Sequence, residues 1–174
     1  MKKKGFTLVE LLAVIAILAI LVIVAMPNVL GMFNQAKANT FVTEVQEYMN
    51  TATTSFMQNA LMSQGKSLYF GNGSAAANTV TLGKLDMSGT EKSYFIQMDR
   101  NGEFERVVIY DDNFCYDSAK AGLSDGFEKT DIKVTSVYEV ETADSTNKNA
   151  VSASTVTDGD VQVGGCAALT VAQQ

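Results

Sequence analysis

Between Leu11 and Met26 every residue is apolar, and no charge appears from Leu11 to Ala36. A helix needs about 20 apolar residues to cross the hydrocarbon core of a bilayer, so this run predicts a membrane segment starting near Phe6, with 6–26 as its transmembrane part. The leader ahead of it is short and basic: Lys2, Lys3 and Lys4 precede Gly5. Positive charge is retained on the cytoplasmic side, so the chain is expected to enter the membrane with residues 1–5 inside.

An ordinary secretory signal also pairs a basic start with an apolar core. Three features weigh against it. Glu10 interrupts the start of the run, the run is longer than a usual apolar core, and no A-x-A cleavage pattern precedes Pro27.

Past Pro27 the pattern changes without ending. Leu30, Phe33, Phe41, Val45, Tyr48, Met49, Ala52, Phe56 and Ala60 recur mostly every three or four residues, with Gln35, Lys37, Asn39, Glu44, Gln46 and Glu47 between them. That period predicts an amphipathic helix with one buried stripe. Joined to the membrane segment it gives a helix over 6–61, on the order of 80 Å long at 1.5 Å per residue. Pro27 lacks an N–H and its ring opposes the carbonyl one turn back, so a kink is expected there, softened further by Gly31; alternatively Pro27 ends the membrane helix.

The 174 residues suit one globular domain plus an appendage, placing a head domain over 62–174. The net charge of −6 becomes −9 without the three leader lysines (10 basic against 19 acidic), which argues against a nucleic-acid partner. The absence of His removes the commonest general base and metal ligand, so no enzyme activity, cofactor or metal is expected. Asp111, Asp112 and Asp117, or Asp158 and Asp160 beside Gly159, lack the spacing of a calcium loop and read as solvated loop acids. Cys115 and Cys166 have no metal-ligand spacing; in an exported domain they read as one disulfide, in a cytosolic one as two buried thiols.

The segment 63–89 is rich in Gly, Ser, Ala and Asn and reads as a surface connection with one short strand around Thr79 to Leu82. Asn72-Gly73-Ser74 matches a glycosylation sequon, but a turn is the better reading. Strands are expected at 94–98 and 104–110 around the Asp99-Arg100-Asn101-Gly102 hairpin, and at 132–140. In the last, Ile132, Val134, Ser136, Tyr138 and Val140 would share one face. A sheet of three or four antiparallel strands, one face covered by the amphipathic half of the helix and the other more solvated, makes the fold α+β. The Cys115–Cys166 segment would be a loop-rich region fastened to the sheet edge.

Lys-Lys-Lys-Gly followed by Phe-Thr-Leu-Val-Glu and a long apolar run resembles the class III signal of type IV pilins and pseudopilins. The likeness covers about the first 30 residues; beyond them only the architecture is similar. It implies that a prepilin peptidase cuts after Gly5, that Phe6 becomes an N-methylated terminus, that Glu10 is the assembly carboxylate and that Pro27 is the kink of a pilin helix. It implies further partners: copies of the same chain, and an inner-membrane assembly platform with its motor. The precursor would sit in the bacterial cytoplasmic membrane and the product in a surface pilus.

Glu10 has an independent case. A carboxylate within a membrane helix costs roughly 2.5–3.5 kcal/mol on insertion scales and therefore needs a reason. No basic residue lies between Gly5 and Lys37, whereas cutting before Phe6 creates an ammonium at the right depth. Pairing of Glu10 with the Phe6 amine of a neighbour would set the register of helix on helix; the other reading has Glu10 reach the headgroups and serve only peptidase recognition. The function expected is a major pilin of an extracellular filament. The alternatives are a minor pilin or pseudopilin of a type II secretion or DNA-uptake machine, and a monomeric anchored domain. Adhesion and motility are among the tasks such filaments serve.

Overall fold

The computed structural model describes residues 5–59, 67–72, 82–89, 92–123, 126–140, 155–157, 160–162, 165–166 and 170–171. The helix α1 spans Leu8–Asn59 without a break. It passes through Pro27, where the carbonyl of Ile23 loses its usual donor, so Pro27 does not end the membrane helix. Threonines, poor helix formers, are accommodated in its second half. The hydroxyls of Thr40, Thr43, Thr51, Thr53 and Thr54 each donate to the carbonyl four residues back at 3.0–3.1 Å.

Two environments divide this helix. From Phe6 to Phe33 every large apolar side chain is at least 50% exposed, and the stripe of Ala38, Phe41, Val42, Val45, Tyr48, Met49, Ala52 and Phe56 is buried. Leu30 and Phe33, expected in the buried stripe, lie outside it because no sheet reaches that far along the helix. Ala60 lies outside the described residues.

The stripe packs on a six-stranded antiparallel sheet ordered β1-β2-β3-β4-β5-β8. Its strands are β1 Leu68–Gly71, β2 Ser93–Met98, β3 Phe104–Tyr110, β4 Phe114–Asp117, β5 Val137–Glu139 and β8 Thr170–Val171. A separate hairpin pairs β6 Thr155–Thr157 with β7 Asp160–Gln162. The chain thus forms the expected α+β arrangement, with six strands in place of three or four. The extra strands are too short to announce themselves. β1 falls inside the supposed surface connection, where Asn72 prolongs its pairing: the Asn72 amide donates to Lys92 O at 2.5 Å and its oxygen accepts from Tyr94 N at 3.1 Å. The sequon asparagine is therefore engaged in the sheet. Thr79–Thr81 lie outside the described residues, and the adjoining chain meets β1 at a parallel bridge from Gly83 to Phe70, with backbone bonds from Gly83 N to Tyr69 O at 2.8 Å and from Gly71 N to Gly83 O at 3.0 Å.

The hairpin at 99–102 forms as its residues suggest. Gly102 takes φ +90°, and Asp99 Oδ1 accepts from Asn101 N at 2.8 Å and Glu103 N at 2.7 Å. Phe56 at the end of the stripe packs so close to Gly102 that an added Cβ would come within 2.9 Å of its ring. The expected strand over 132–140 is corrected to 3-10 turns at Lys129–Asp131 and Val134–Ser136 followed by the short β5. The turns break the two-residue period. Ile132, Val134 and Val137 pack toward the helix, while Tyr138 and Val140 pack on the opposite face.

That opposite face is not solvated, contrary to expectation. Tyr69, Phe95, Val108, Tyr110 and Cys115 are buried there together with Cys166, with Leu82, Tyr138 and Val140 packed against them. The disulfide Cys115–Cys166 (Sγ–Sγ 2.02 Å, Cα–Cα 5.9 Å) crosses from β4, an interior strand. It holds Cys166 against that sheet face, while β8, a few residues further on, forms the sheet edge beside β5.

Candidate assembly site at the start of the N-terminal helix

Residues 5–7 are non-helical and α1 begins at Leu8, so Thr7 is the N-cap and Glu10 the third helical residue. An N-terminal helix end leaves four amides unpaired, a cost that grows where water is scarce. Here the two side chains answer that cost reciprocally. The Thr7 backbone N–H donates to Glu10 Oε2 at 2.8 Å, the Thr7 hydroxyl donates to the same oxygen at 2.8 Å, and Glu10 N–H donates to Thr7 Oγ1 at 3.3 Å. The first helical bond follows, from Leu11 N to Thr7 O at 3.2 Å. This is a capping box, a T-x-x-E pattern ahead of an apolar run that is legible in the sequence alone.

Gly5, Phe6 and Glu10 are all exposed, Phe6 by 87%. Lys2, Lys3 and Lys4 lie outside the described residues. Pro27 and Gly31 fall in the exposed part of α1, and a Cβ added at Gly31 would meet nothing within 4 Å. The structure therefore gathers Gly5, Phe6 and Glu10 at one end of the helix. The cysteine pair belongs to the sheet.

The loop acids behave differently from expectation. Asp111 accepts from Asn113 N at 2.8 Å and Phe114 N at 2.7 Å while its other oxygen holds Lys92 at 2.8 Å. Asp117 is buried, and Arg106 Nη2 bridges its two oxygens at 2.9 and 3.0 Å. Both are structural partners and not solvated acids. Asp112 is exposed, Asp158 lies outside the described residues, and Asp160 opens β7. No group of three or more His, Cys, Asp or Glu suited to a metal occurs among the described residues.

One helix among the described residues is long and apolar enough to cross a membrane, and its most apolar window contributes no buried residue. Residues 1–26 match a family described as the prokaryotic N-terminal methylation motif. No curated protein and no solved structure is significantly similar to the chain. The motif is the class III signal of the type IV pilin and pseudopilin family, whose members are structural subunits. The first 26 residues thus carry a signal like that of type IV pilin and pseudopilin precursors, a signal that implies processing by a prepilin peptidase, and the apolar first half of α1 fits a membrane-anchored precursor.

Proposed function

We propose that this chain is the major subunit of an extracellular type IV filament. On this reading residues 1–5 are a leader removed by prepilin peptidase, Phe6 becomes the N-methylated terminus, 6–61 is the assembly segment carrying α1 and 62–174 the head displayed on the filament surface. The observation that carries it is the change of exposure along one continuous helix: exposed apolar side chains through Phe33, a buried stripe from Ala38. The second part is satisfied by the chain's own sheet. The first needs either lipid or copies of itself.

Burying apolar surface against neighbouring helices is worth roughly 25 cal/mol per Å² relative to water, so a bundle of these helices coheres once outside the membrane. Leaving lipid gains little, so extraction falls to a motor and its membrane platform. Glu10 supplies the register: inside a bundle its carboxylate is costly unless it meets a cation, and the Phe6 ammonium of a neighbour is the one that processing creates. Pro27 and Gly31 provide the compliant stretch where the exposed half can bend relative to the packed half.

Shearing cells and analysing the released fraction by N-terminal sequencing and mass spectrometry tests this directly. The expected result is a chain starting at N-methylated Phe6 that dominates the fraction. Retention of residues 1–5 in surface material would overturn the reading, and a trace abundance would favour a minor pilin or pseudopilin instead.

A further inference from the structure

The capping box has a consequence for the bond that lies just ahead of it. We propose that Thr7 and Glu10 set where α1 begins and thereby keep the Gly5–Phe6 peptide bond extended for the processing peptidase, an inference that rests on the processing reading above.

A peptidase takes hold of a substrate in extended form, because its own groups pair with backbone N–H and C=O that a helix would already have used. Residues 5–7 lie outside the helix with Gly5 and Phe6 exposed, and the first helical bond is accepted by Thr7 O, so their backbone groups are not used by α1 ahead of it. Apolar Phe6 next to a long helical run would otherwise be drawn into the first turn. The reciprocal bonds between Thr7 and Glu10 occupy the donors and acceptors at that turn and stop the helix one residue short of Phe6. Gly5 leaves the bond accessible: its φ is not in the left-handed region, and a Cβ on it would meet nothing within 4 Å, so no described residue crowds that side of the bond. Hydrolysis then adds one water across the bond, leaving a carboxylate on Gly5 and the ammonium on Phe6.

Glu10 thus has two separable tasks. In a capping box Gln serves at the third helical position as well as Glu, because what is needed is an acceptor. Assembly, in contrast, needs the charge. Thr7 is a positioning residue, since it acts through the helix start.

The test uses the full-length precursor in lipid nanodiscs with purified prepilin peptidase, reading kcat/KM for cleavage at Gly5–Phe6 and amide hydrogen exchange at residues 5–7. Thr7→Val, which keeps the shape but loses the acceptor, is expected to lower kcat/KM about fivefold, the effect of losing one N-cap. Thr7→Ser and Thr7→Asn, both good caps, and Glu10→Gln should stay within about twofold of wild type, with exchange at 5–7 unchanged. Cleavage of Thr7→Val at the wild-type rate would overturn the inference. So would Thr7→Asn as slow as Thr7→Val, because the enzyme would then be reading the threonine itself. Failure of the wild-type precursor to be cut at all would instead remove the processing reading on which this rests.

Discussion

Gly165 lies against the buried carboxylate of Asp117 so closely that a Cβ on it would overlap Asp117 Oδ2. The same carboxylate pairs with Arg106 and accepts from Ala119 N at 3.0 Å and Cys166 N at 3.4 Å. Gly165 also has φ +66°, so it is glycine for two reasons, conformation and space. Its neighbour Cys166 carries the disulfide, so this contact sets how the C-terminal segment reaches β4. Gly165→Ala must displace either the segment or the ion pair. It is expected to destabilise the full chain in detergent by about 2–4 kcal/mol, read as a lower urea midpoint. An unchanged midpoint would show that the segment can slide without cost.

The disulfide closes a separation of 51 residues. On the chain-entropy estimate, such a loop stabilises the fold by roughly 4 kcal/mol. The Cys115→Ser, Cys166→Ser double variant should lose most of this under oxidising conditions. Wild type under reductant should fall to the same urea midpoint as the double variant. A double variant as stable as the oxidised chain would mean that packing on the outer face holds the segment unaided.

How much of this was legible depends on whether each partner lies nearby in sequence. The Asn101-Gly102 hairpin and the stripe from Phe41 to Phe56 are local patterns, and the structure holds both where expected; the signal around Gly5, Phe6 and Glu10 is local too and falls within the matched methylation motif. Leu30 and Phe33 share the stripe's period but not its burial, because a period says which side faces a partner and not where the partner ends. Asp111 and Asp117 read as loop acids because their cations lie 19 and 11 residues away, Lys92 just ahead of β2 and Arg106 on β3. The segment 132–140 alternates like one strand because 3-10 turns can imitate that period over a few residues. The Thr7–Glu10 box is local too, but the same glutamate fits both a capping box and an assembly carboxylate, so in sequence one role masks the other.

Lys92 fastens α1 to the sheet at the point where the helix leaves its exposed half. Its ammonium lies 2.8 Å from Asp111 Oδ2 and 3.1 Å from Glu44 Oε2, and 5.5 Å from the centre of the Phe41 ring. Burial works against its charge, but the bonds and charges of Asp111 and Glu44 prevail and raise its pKa above the ordinary lysine value of 10.5. A raised pKa means that this contribution is fully present below about pH 10.5 and fades as pH climbs through the folded-state value. Lys92→Met should therefore cost roughly 1–3 kcal/mol at pH 7, and the gap from wild type should narrow in urea titrations repeated above pH 11. A gap independent of pH would assign the loss to packing alone.

Tyr116 offers the opposite case, a polar group that the fold would do better without. Its ring is fully buried between α1 and the sheet, and its hydroxyl has no hydrogen-bond partner among the described residues. Burial, aided by the charges of Asp117 and Asp131, raises the hydroxyl's pKa far above its ordinary value of 10.0. A buried hydroxyl left unpaired costs about 1–3 kcal/mol, and the phenylalanine ring fills nearly the same volume. Tyr116→Phe should therefore stabilise the chain by about 1 kcal/mol at pH 7, seen as a higher urea midpoint with unchanged slope. Because the unfolded tyrosine ionises from about pH 10 while the folded one stays neutral, wild type should lose stability above that pH and the variant should lose less. Destabilisation by Tyr116→Phe would mean that the hydroxyl is satisfied in solution, and the two chains should then part in the opposite direction at neutral pH.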